Sequence, residues 1–86
     1  MVIHNIKCIN PYFNHINLGT KQFEVRLNDR NYQNRDIVVL EEYLPETSKY
    51  TGRYVMVKIS YVLKEFDGLK KGYCVFGFYV LDRGCH

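Results

Sequence analysis

The sequence predicts a mainly β domain with one short helix (α+β), folded as a small, mostly antiparallel β-barrel. Three observations carry this. The apolar patterning runs strand, helix, then four strands, with no βαβ alternation to support a doubly wound parallel sheet. About five strands fall within 86 residues, and closing such a short sheet removes exposed edges. Aromatic residues, all Tyr and Phe, make up 15% of the chain, and their large buried area helps so small a domain form a core. The length suits one domain, residues 1–86, without internal repeats or low-complexity segments.

Ile3 to Cys8 reads as the first strand. Asn10-Pro11 then looks like a helix start, because Asn caps well and Pro suits a position whose N–H has no partner. Phe13 and Ile16 supply a short apolar stripe, and Gly19 is placed to end the helix in the left-handed conformation. A second strand is expected from Gln22 to Leu27. Asn28 to Asn34 is polar and turn-like. Asp36 to Tyr43 is a third strand whose apolar run Ile37–Leu40 fits burial on both faces. Leu44 to Gly52 reads as a loop, Arg53 to Leu63 as a long alternating strand, and Glu65 to Gly72 as a connection. Tyr73 to Leu81 closes the set, with Gly77 marking a bulge or bend.

The net charge is +3, unevenly spread: +2 over residues 1–30, −3 over 31–48 and +4 over 49–86. This suits a modest anionic partner rather than wholesale charge neutralisation of the histone kind. Cys8, Cys74 and Cys85 are odd in number and scattered, and Met1–Asn5 lacks the features of a secretory signal, so a cytoplasmic location is expected. No apolar run is long enough to span a membrane. The cysteines and His4, His15 and His86 lack zinc-finger spacing, and there is no P-loop or dinucleotide fingerprint, so no metal or cofactor is expected.

The densest chemistry lies between Gly19 and Arg30. In the second strand Phe23, Val25 and Leu27 share one face, and Gln22, Glu24, Arg26 and Asn28 share the other. Glu24 and Arg26 therefore point the same way, roughly 7 Å apart, and Lys21 at the helix–strand turn reaches over the same opening. Lysine and arginine hold phosphates or polarise carbonyls, while a carboxylate accepts from a base or ribose hydroxyl or moves a proton. The competing reading is a salt-bridge cluster that seals a barrel end. Arg30 fits a phosphate contact as well as a turn, and Asp29 fits the turn better. Arg53 and Thr51 lie in a loop that either reaches the cleft or simply turns the chain. His4 and Lys7 are placed to face the cleft from the first strand. Tyr32 and Tyr50 are the candidate rings for stacking a base.

Gly19-x-Lys21-x-x-Glu24-x-Arg26 resembles the GxKxxExR signature of ASCH domains, part of the PUA-like superfamily. The resemblance extends to a small bacterial and phage subgroup through His4-x-x-Lys7, Pro11-Tyr12-Phe13, Asn28-Asp29-Arg30, Asp36, Glu41-Glu42-Tyr43 and Tyr50-Thr51-Gly52-Arg53. Arg35 stands where similar proteins have glycine. The resemblance implies a PUA-like barrel with a helix beside a cleft, and a link to RNA. In one enzymatic branch, the acetylcytidine amidohydrolases, the lysine of this motif is catalytic and a threonine stands at the position of Glu24. That branch also has a longer helical insertion, where this chain has only the short Lys64–Lys71 connection.

The expected function is therefore a nucleic-acid-binding module, for RNA above all, with Lys21, Glu24, Arg26, Arg30, Arg53, Lys7 and His4 as its site. One alternative is a small hydrolase of a modified nucleoside or RNA, with Lys21 and Glu24 catalytic. Another is a protein-interaction module. Enzymatic activity and oligomeric state stay open at this level.

Overall fold

The computed structural model describes residues 1–86. Its elements are β1 (Ile3–Cys8), α1 (Tyr12–Leu18), β2 (Phe23–Leu27), β3 (Ile37–Leu44), β4 (Lys49–Lys64) and β5 (Tyr73–Cys85). They form one five-stranded sheet in the order β1-β3-β4-β5-β2. Only β1 and β3 run parallel; the other three pairs are antiparallel. The mainly β class with a single helix is thus as expected. The sheet curls into a half-barrel but stays open, because β1 and β2 form its two ends and do not pair with each other.

The curl has local causes. Ser60 is an extra residue in β4 opposite Gly77, and Leu81 is an extra residue in β5 between the partners of Val57 and Met56. Such bulges bend a strand and increase its twist. The bulge foreseen at Gly77 is therefore on its partner strand. A third irregularity sits where β3 passes Glu42 and β4 passes Thr51–Arg53. The expected loop from Leu44 to Gly52 is shorter than predicted. Leu44 pairs with Lys49 and Tyr43 with Tyr50, so the β3–β4 hairpin closes over residues 45–48.

The core fills the inside of the curl. Val38, Leu40, Val55, Val57, Ile59, Phe76 and Phe78 supply it from the sheet, and Tyr32 from the β2–β3 connection. Phe13 and Ile16, one turn apart on α1, close one end; burying each contributes roughly 1.5–3 kcal/mol. Asn10 Oδ1 accepts the Asn14 N–H at 3.0 Å, in the first turn of α1. Gly19 ends the helix at φ +86°, in the left-handed region where glycine avoids the Cβ clash.

A buried carboxylate holds the β2–β3 connection. Asp36 accepts from the N–H groups of Val2 and Gln33 and meets His4 Nε2 at 2.9 Å. Burial alone would raise the Asp36 carboxyl. The hydrogen bonds from His4, Val2 and Gln33 outweigh it and hold the acid below its usual range.

Candidate functional site

The polar face of β2 points into the curl, and the apolar face points out. Phe23, Val25 and Leu27 are about half exposed, while Glu24 is only 4% exposed. A buried carboxylate needs partners, because stripping water from an unpaired charge is costly. Glu24 has two. Lys21 Nζ donates to Oε1, and Arg26 Nε donates to Oε2 at 2.7 Å. The three motif residues therefore converge on one carboxylate, which neutralises only one of the two cations.

Each partner is positioned by the backbone. The left-handed turn at Gly19 sends the N–H groups of both Thr20 and Lys21 back to His15 O, at 3.0 and 3.1 Å. This fixes where Lys21 leaves the helix. Its ammonium lies 5.0 Å from the Phe23 ring centroid and 5.5 Å from that of Tyr12, so two aromatic faces flank the charge. Arg26 spans the gap between the sheet ends: its Nη2 donates to the Lys7 carbonyl on β1.

That gap is a cleft of about 900 Å³, floored by Glu24 and bordered by β1, β2 and the start of α1. Tyr12 and Tyr50, each about half exposed, stand at it with Tyr73. Arg30 and Asp29 line it from the loop after β2, and neither is in a salt bridge within the protein. The charged side chains Lys7, Lys21, Arg26 and Arg30, set against Glu24 and Asp29, leave the cleft two positive charges in excess. The hydrogen bonds of β2 also matter. Asn28 N–H donates to Gly72 O and Phe78 N–H to Gln22 O, so even-numbered β2 residues bond to β5. The backbone groups of Phe23, Val25 and Leu27 therefore face the open gap.

Cys8 is the thiol at this cleft. Burial first, and then the charge of Glu24, push it up to about 12 against the opposing pull of Arg26 and Lys21. It is a packed side chain and a poor nucleophile. Burial also raises the Tyr32 hydroxyl, against the charges of Arg26 and Arg30.

Three sequence expectations change, those for His4, Arg53 and Tyr32. His4 is 6% exposed and points into the core, where it meets Asp36 and lies 4.8 Å from the Tyr32 ring; it does not line the cleft. Arg53 is drawn instead to the β3–β4 irregularity. There Glu42 accepts from Asn10 Nδ2 at 2.6 Å and Thr51 Oγ1 at 2.7 Å, and pairs with Arg53 Nη1 at 3.4 Å. Lys7 does line the cleft: its carbonyl accepts from Arg26, and its ammonium lies 4.4 Å from the Tyr43 ring centroid. Tyr32 borders the cleft yet is 1% exposed, so it supports the floor and cannot stack on a ligand. Tyr50 keeps its place. Phe23 and Tyr73 were missed as candidates; the position of Phe23 two residues after Lys21 was the available signal.

Residues 3–78 match the family described as "Domain of unknown function (DUF3850)", and the chain belongs to that family. It is also similar to a curated protein of Escherichia phage P2, the uncharacterized 12.9 kDa protein in the GpA 3′ region. The two are 35% identical over 68 residues, which cover 79% of this chain and 61% of the phage protein.

Proposed function

We propose that this DUF3850 domain is a nucleic-acid-binding module that takes single-stranded RNA in the cleft between β1 and β2. The observation that carries the reading is the triad Lys21–Glu24–Arg26. It is a buried carboxylate holding two cations in fixed positions under an open cleft, with net positive charge left over. Fixed cations suit phosphate oxygens, and the flanking Tyr12, Phe23 and Tyr50 rings suit unstacked bases. The cleft, about 900 Å³, has room for roughly three nucleotides and not a duplex, which favours a single strand. The ASCH-like spacing of the same residues supports RNA as the polymer. In this reading Glu24 does not read a base edge, since it is only 4% exposed beneath Lys21 and Arg26; it is the anchor that orients those two cations.

A hydrolase is the less favoured reading. Lys21 is engaged by Glu24 in an ion pair, and Cys8 is protonated and packed. Neither is presented as a nucleophile.

Fluorescence anisotropy with a labelled 12-nucleotide U-tract RNA (U12) tests the proposal. Wild type should bind at low salt and weaken steeply as salt rises. Lys21→Ala and Arg26→Ala should each weaken binding about 10-fold or more, since each removes a charge-assisted contact. Circular dichroism shows whether the variants remain folded. No binding by wild type at 50 mM salt, or unchanged binding by both folded variants, would refute it.

A further inference from the structure

A second cavity, of about 490 Å³, adjoins the first. Lys64 at the end of β4, Lys70 and Lys71 in the β4–β5 connection, Asn28 and Tyr73 line it. Tyr73 lines both cavities, and Asn28 is followed directly by Asp29 and Arg30 of the first. The Asn28 N–H to Gly72 O bond, 2.8 Å, ties the lysine-bearing connection to the end of β2. Two more backbone bonds, Leu69 N–H to Phe66 O and Tyr73 N–H to Lys70 O, turn that connection on itself, so the lysines sit on an ordered scaffold.

The lysines are also free of internal partners. None of Lys64, Lys70 or Lys71 lies in a salt bridge, although Glu65 lines the same groove. Lys70 Nζ lies 5.7 Å from the Tyr73 ring centroid, which places a cation beside the ring that joins the two cavities. Unpaired lysines along a groove that opens into a positively charged cleft form a track for a polyanion.

We infer that the groove is a second, backbone-binding segment of the same nucleic-acid site. A single strand whose base enters the cleft at Lys21 and Arg26 runs past Arg30 and Tyr73 and lays its next phosphates against Lys64, Lys70 and Lys71. The preferred ligand is therefore an oligonucleotide and not a mononucleotide. This inference rests on the cleft reading above.

The test compares U12 with U3, a trinucleotide short enough to occupy the cleft alone, in wild type, Lys21→Ala and the triple variant Lys64→Ser/Lys70→Ser/Lys71→Ser. Losing three phosphate contacts should flatten the slope of log K against log salt for U12 by about 2, at roughly 0.7 per contact for a single strand. The gain in affinity from U3 to U12 should shrink in the triple variant, while U3 binding stays at the wild-type level. A wild-type slope and a wild-type U3-to-U12 gain in the triple variant overturn the track and leave the cleft reading standing. U12 binding lost in the triple variant but intact in Lys21→Ala overturns the cleft reading, and the continuous path with it.

Discussion

Glu24 and Asp36 are both buried acids, and each is satisfied differently. Glu24 holds two side-chain cations, and Asp36 holds two backbone N–H groups and one imidazole. Glu24→Gln keeps the shape but removes the charge that neutralises Lys21 and Arg26. We expect a loss of about 1–3 kcal/mol in urea denaturation, together with tighter binding of U12, because the floor gains one net positive charge. Weaker U12 binding by a folded Glu24→Gln protein would show that holding Lys21 and Arg26 in place matters more than the gained charge. Asp36 governs acid stability. Its folded pKa lies below the ordinary 3.8, so its contribution is fully present above that value and is lost as pH falls through the depressed folded pKa. Wild type should lose stability below about pH 4. In Asp36→Asn that part of the urea midpoint's pH dependence should be missing, with lower stability at neutral pH. Matching pH profiles for the two proteins would show that other carboxylates set the acid limit.

At the scale of elements, two left-handed residues bracket the site-forming strand with opposite consequences. Gly19 has φ +86° with open space around its missing Cβ, so the cost of alanine there is conformational only. Gly19→Ala should cost about 1 kcal/mol and disturb the turn that delivers Lys21. Arg35 has φ +75°, a conformation disfavoured for a residue that carries a Cβ by roughly 1–2 kcal/mol. Arg35→Gly should recover part of that, a gain of about 0.5–1 kcal/mol after the entropy glycine loses on folding. Urea midpoints of the two variants should move in opposite directions; movement in the same direction would contradict the backbone account. Edge placement explains why β2 inverts the usual rule. It ends the sheet at the gap, so its inward face floors the cleft, and the buried Glu24 is tolerated there because Lys21 and Arg26 pair with it.

Across the molecule, what was legible in the sequence was local. Gly19 as a helix end, the alternation of β2 and the clustering of Lys21, Glu24 and Arg26 all follow from residues close in the chain, and the structure has each of them. Non-local pairing was not legible. His4 reads as a surface candidate until Asp36, 32 residues away, is seen beside it. Arg53 reads as a cleft residue until the β3–β4 irregularity gives it Glu42. Alternation divides β2 into two faces without saying which one is inside, and the open seam between β1 and β2 depends on the strand order of the whole sheet. The same topology leaves Val25 and Leu27 exposed on the outer face, with Tyr61 and Tyr79 exposed on the same three-stranded side of the sheet.

That outer face is the rival binding surface, and one measurement separates the two. In an ¹⁵N-labelled protein titrated with U12, amide and arginine Nε–H resonances report where the strand sits. The account predicts the largest shifts at Lys21, Glu24, Arg26 and Arg30, with Tyr12 and the Lys70–Tyr73 segment following. Shifts confined to Tyr61, Tyr79 and their neighbours, or no shifts at all, would contradict it.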